Sequence, residues 1–69
     1  MEALERLKEE VGRTEGLAAR AILNYVIYEL EVGGPSADVV DEAIKIAERE
    51  LRELEKAINA LKEIRRLIS

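Results

Sequence analysis

The chain has 69 residues, a formal net charge of −4, and neither cysteine nor histidine. Its length allows one small domain, and domains of this size rarely build a stable core without reinforcement. Without cysteine or histidine there are no disulfides, no thiolate or imidazole metal ligands, and no nucleophile and base pair of the common hydrolase type. Reinforcement must therefore come from regular helix packing or from partner chains.

Hydrophobic residues make up 48% of the chain and charged residues 38%, and the sequence pI is about 4.9. An acidic chain offers no basic surface for phosphates, so we expect no nucleic-acid partner. No apolar run is long enough to cross a membrane, and the acidic start MEALERLKEE is unlike a targeting signal. The sequence predicts a soluble protein that does not bind membranes. It does not indicate a location, although recombinant expression would leave the chain in the cytoplasm.

The first arm of the chain shows helical periodicity from about residue 2 to about residue 32. Gly12 and Gly16 interrupt it, and a glycine inside a helix costs about 1 kcal/mol relative to alanine. One interpretation is a continuous or kinked helix. The other ends the first helix at Gly12 and starts a second with Thr14 as its N-cap, so that the arm splits at residues 12–14.

The continuous or kinked arm is favoured because of how it would pair with the rest of the chain. Folding at Gly34 into an antiparallel hairpin brings Leu30 near Val39 and Gly12 near Ala57. Small residues then face each other and allow the helices to approach closely. The set predicted to pack in this way is Gly12, Gly16, Ala57 and Ala60.

The stretch LAARAILNYVIYEL, residues 17–30, is apolar almost all round when drawn as a helix. Such a helix must be covered by more than one neighbour, and the sequence predicts that sister chains supply part of the cover. The predicted oligomer interface consists of Leu17, Ala18, Ala19, Ala21, Ile22, Leu23, Tyr25, Val26, Ile27 and Leu30.

A narrow polar stripe also follows this helix, formed by Arg20, Asn24 and Tyr28 at steps of four residues. It has three interpretations: the solvated side of the helix, a buried network that sets the register of assembly, or part of a ligand pocket. The solvated side is favoured.

The second arm begins after a loop at residues 33–35. Gly33 can adopt the left-handed conformation that ends a helix, and Ser36 is a good N-cap for a helix over residues 36–68. Apolar residues then alternate at steps of four and three, as in a coiled-coil seam. Beyond Ala57 the apolar face widens to include Ala60, Ile64 and Leu67, which predicts that this half touches two neighbours.

The chain contains no residue pattern that singles out a catalytic site. Its carboxylates fall at solvent-facing positions among lysines and arginines, and none is marked by burial or by a close partner. The two glycines at residues 33 and 34 follow a helix rather than a strand, so they are explained by chain reversal and not by phosphate binding. We expect no enzyme activity, no cofactor and no metal site.

These features predict an all-α fold: one helical domain over residues 1–69, an antiparallel hairpin that assembles into a multi-helix bundle. Charges matched to the helix dipoles, the GGPS connection, few aromatic residues and long regular helices resemble de novo designed helical bundles across essentially the whole chain. No natural family is recognised.

The apolar surface of residues 17–30, which one hairpin cannot cover alone, predicts a homo-oligomeric scaffold, most simply a dimer of four helices, with a higher cyclic oligomer as a further option. Two alternatives stay open. One is a module that binds another protein's helix on the apolar face of residues 17–30. The other is a bundle with a small apolar ligand cavity near Asn24 and Tyr25.

Overall fold

A computed structural model describes residues 1–68 of the chain, and these residues form three α-helices without strands. Helix α1 covers Glu2–Arg13, α2 covers Leu17–Gly33, and α3 covers Ala37–Ile68. Residues 14–16 and 34–36 are three-residue connections. The all-α prediction is confirmed, and its first arm is split.

The break between α1 and α2 corrects the favoured continuous arm. Thr14 leaves the helical conformation with φ −96° and ψ 122°, and its hydroxyl donates a 2.7 Å hydrogen bond to the Glu10 carbonyl. Thr14 therefore ends α1 and is not the N-cap of α2, a position that Gly16 occupies. The break removes the helix-propensity cost of Gly16, which is the N-cap of α2, whereas Gly12 stays within the last turn of α1.

The turn between α2 and α3 follows the predicted pattern with one shift. Gly33 is the last residue of α2, and Gly34 is the residue with a positive φ, 81°. Such a conformation is open essentially to glycine alone. The Ser36 side-chain oxygen accepts a 3.3 Å hydrogen bond from the Val39 backbone N–H, which confirms Ser36 as the N-cap.

The core is small and lies where all three helices meet near the α2–α3 turn. Val26, Leu30 and Ala43 are its buried members, and four partly buried residues pack against them: Leu4, Leu7, Ile22 and Val39. Thus α1 folds back along α2 and covers it from one side, while α3 covers it from another. Residues 17–30 were predicted to need more than one neighbour to cover them, and α1 of the same chain is one of these neighbours.

Only the first ten residues of α3 belong to this packed end of the molecule. Every residue from Ala47 to Ile68 is exposed, and we name this part, residues 47–68, the α3 extension. It makes the molecule 52 × 23 × 14 Å, with a radius of gyration of 16.0 Å. A compact chain of this length would have a radius of about 11 Å, so the isolated chain is unusually elongated.

Within residues 1–68, no helix combines the length and the apolar character needed to cross a bilayer.

Candidate interaction surface

The most prominent feature of the surface is an apolar face along the α3 extension. The exposed fraction of its large side chains ranges from 49% for Ile58 to 81% for Ile68. Scattered apolar residues are normal on protein surfaces, but a continuous row of them marks an interaction site. The large members of the row are Leu51, Leu54, Ile58, Leu61, Ile64, Leu67 and Ile68.

This face continues the side of α3 that packs against α2. At 3.6 residues per turn, Leu54 and Leu61 lie on the same side of the helix as the buried Ala43. Asn59 lies on the opposite side, among charged residues. The extension is therefore amphipathic along its length, although none of residues 1–68 covers its second half.

The apolar face begins in a shallow groove beside the start of α2. The groove has a volume of about 200 Å³ and is lined by side chains of both helices: Ala18, Ala19, Ile22, Ala47, Glu50, Leu51 and Leu54. Leu17, the first residue of α2, precedes the lining residue Ala18 in the sequence and is 86% exposed. Helix α2 begins here, so the cover that it gives α3 stops at about Leu54.

Within residues 1–68, the ion pairs of the α3 extension join residues three positions apart in the sequence. The Lys56 ammonium lies 3.2 Å from the Glu53 carboxylate, and Arg66 pairs with Glu63. Both pairs are solvent exposed and contribute at most about 1 kcal/mol each. Within residues 1–68, no carboxylate lies within ion-pair distance of Lys62 or Arg65.

The residues of α2 that were predicted to form an oligomer interface differ in how deeply they are buried within the single chain. Val26 and Leu30 are 4% exposed and belong to the core of the chain itself. Ile22, Leu23 and Ile27 are partly buried. The exposed remainder consists of Leu17, Ala18, Ala19, Ala21 and Tyr25. A role for these residues between subunits stays a prediction.

The polar stripe of α2 lies on the surface of the chain. Arg20, Asn24 and Tyr28 are all exposed. Tyr25 is exposed as well, and neither it nor Asn24 is among the residues that line the groove beside the start of α2. In the single chain the stripe therefore occupies the solvated side of α2.

The predicted close packing of small residues does not occur within the chain. A Cβ added at Gly12 would meet nothing within 4 Å, and one at Gly16 would meet only the Ala19 Cβ at 3.9 Å. Ala57 and Ala60 are exposed. The physical reason is the break at residues 14–16, which turns α1 back onto α2 and leaves Ala57 without an opposite helix.

The α3 extension was not among the predicted interface residues, although the sequence carried a signal for it. The apolar face widens beyond Ala57, which is typical of a helix with two neighbours. The expectation of a full-length hairpin assigned one of those neighbours to the first arm. Because α1 packs elsewhere, none of residues 1–68 covers this face beyond about Leu54.

The fold and this surface define a small all-α protein in which the second half of one helix is uncovered. Comparison of the chain with protein-family models, with curated proteins and with solved structures found no match.

Proposed function

We propose that the protein is a self-assembling structural element, a homo-oligomeric helical scaffold without catalytic activity, and that its copies associate through the α3 extension. The observation that carries this proposal is the row of seven large apolar side chains from Leu51 to Ile68, all exposed in the single chain. Burial of apolar surface contributes about 25 cal/mol per Å². A row of this size therefore favours association strongly.

The small size of the core supports the same conclusion. Three buried residues among residues 1–68 are few for a domain that has no cysteine and hence no disulfide to reinforce it. Small domains commonly gain the missing stability by oligomerisation. A second copy of the chain brings an identical amphipathic face, and closed symmetric assemblies of identical chains are the usual form of soluble oligomers. A dimer is the simplest of these.

Solution mass tests the proposal directly. Light scattering behind a sizing column, together with sedimentation equilibrium over a wide concentration range, should give a whole multiple of 7.8 kDa. Leu61→Glu should reduce the mass to that of one chain, because it places a charge in the apolar face. The control is Asn59→Glu, two positions away on the opposite side of α3, which should keep the wild-type mass.

A wild-type mass of 7.8 kDa at every concentration would overturn the proposal. An apolar face on a stable monomer would instead favour a module that receives another protein's helix. Equal masses for the Leu61→Glu variant and the wild-type oligomer would show that copies associate through some other surface.

A further inference from the structure

The charges along the α3 extension are distributed unevenly between its two ends. Residues 48–55 carry four glutamates and two arginines. Residues 56–68 carry four cations, Lys56, Lys62, Arg65 and Arg66, and a single glutamate, Glu63. One end of the apolar face is thus bordered by excess negative charge and the other by excess positive charge.

This asymmetry distinguishes the two ways in which two identical helices can pair. A parallel pair would place acidic end beside acidic end and basic end beside basic end, which is repulsive. An antiparallel pair would place each acidic end beside a basic one. Charges that flank an apolar seam commonly select the orientation of paired helices.

We propose that two copies pair in antiparallel orientation through their α3 extensions, around a two-fold axis close to Ile58. This inference rests on the proposed self-assembly and adds its partner geometry. The extension has its midpoint between residues 57 and 58. Full overlap therefore sets Arg65 of one copy level with Glu50 of the partner subunit, and Lys62 level with Glu53 of the partner subunit.

The groove beside the start of α2 fits this arrangement. In the same overlap, the last turn of one extension lies level with Ala47 of the partner subunit, which lines that groove. Leu67 and Ile68 are the most exposed large apolar residues of the extension. The apolar lining of the groove offers them cover. Overlap of the extensions over about 33 Å thus ends where the three-helix part of each copy begins.

Distances between spin labels test the orientation. The chain has no cysteine, so Asn59→Cys and Arg66→Cys each provide one labelling position per copy. An antiparallel pair separates the two labels along the helix axis by about 5 Å at residue 59 and by about 26 Å at residue 66. We therefore expect a clearly longer label-to-label distance at residue 66.

Equal distances at the two positions would overturn the antiparallel arrangement, because a parallel pair has no axial offset at either. The mass of each labelled variant is measured in the same samples. A dimer with equal distances contradicts only the orientation, whereas a mass of one chain contradicts the proposed self-assembly itself.

A charge variant gives an independent test, because the dissociation constant should rise for an antiparallel pair and fall for a parallel one. Replacing Lys62 and Arg65 with glutamate makes both ends of the extension acidic. In an antiparallel dimer this should raise the dissociation constant roughly tenfold, since two attractive charge contacts per copy become repulsive. In a parallel dimer the same change relieves repulsion between basic ends, so tighter association would overturn the proposal.

Discussion

At the scale of single residues, burial in this protein is concentrated in very few side chains. Val26 and Leu30 of α2 and Ala43 of α3 are the buried residues of the described chain, and each comes from the end of the molecule near the α2–α3 turn. Each core contact therefore carries a large share of the stability, because small domains have only about 5 kcal/mol to lose.

Val26→Glu should abolish the cooperative thermal transition. An unpaired carboxylate at a site that is 4% exposed costs several kcal/mol, which is comparable with the whole stability of the domain. Thermal unfolding followed by circular dichroism measures the effect. Val32→Glu, in the same helix but exposed, is the control and should change stability by less than about 0.5 kcal/mol. An unchanged melt for Val26→Glu would mean that this core is not the one that holds the chain together.

At the scale of helices, the sequence predicted the elements better than their arrangement. The start of α3 follows from the Ser36 cap, and its long uninterrupted course follows from the absence of glycine and proline after Pro35. Those signals are local, so they can be read from neighbouring residues. The apolar character of residues 17–30 also indicated that α2 needs more than one neighbour, but sister chains were expected where α1 of the same chain supplies part of the cover.

The orientation of α1 could not be predicted in the same way. Its apolar residues Leu4 and Leu7 suit a place on α2 as well as a place on the far end of α3. The choice depends on the backbone at residues 14–16, where Thr14 takes an extended conformation. Periodicity continues across such a break and gives no warning of it. The expectation of a continuous arm gave the α3 extension a neighbour within the chain, so its apolar face was not among the predicted interface residues.

The glycine at position 12 gives a prediction at the scale of α1. Gly12 is the second-last residue of α1, and a Cβ added there would meet nothing within 4 Å. Gly12→Ala should therefore raise the free energy of unfolding by at most about 1 kcal/mol, the helix-interior value, through helix propensity alone. Urea denaturation measures this change.

Gly16→Ala is the matched comparison, because Gly16 is the N-cap of α2, where alanine is no better than glycine. It should bring no gain in stability. A loss of stability or of oligomer mass for Gly12→Ala would indicate that another helix approaches Gly12 closely in the assembled protein, as the small-residue pattern predicts.

At the scale of the whole molecule, the chain is a three-helix end joined to a single-helix end. The ion pair between Lys8 and Glu31, at 3.3 Å, links α1 to α2 at the three-helix end. Both partners are about half exposed, so this pair contributes less than about 1 kcal/mol. The shape of the molecule thus depends mainly on apolar contacts, and these stop well before the end of α3.

The two ends of α3 should consequently differ in how often their backbone opens. Amides around Ala43 are held by tertiary packing, whereas those beyond about Leu54, where the cover from α2 ends, are held only by helical hydrogen bonds. Amide hydrogen exchange of a monomeric Leu61→Glu variant should therefore be slow before about residue 47 and fast beyond about residue 54. In the assembled wild type, protection should extend through the last turns of the helix. The exchange rates along this one helix would then show, residue by residue, where contact with a second chain stabilises its backbone.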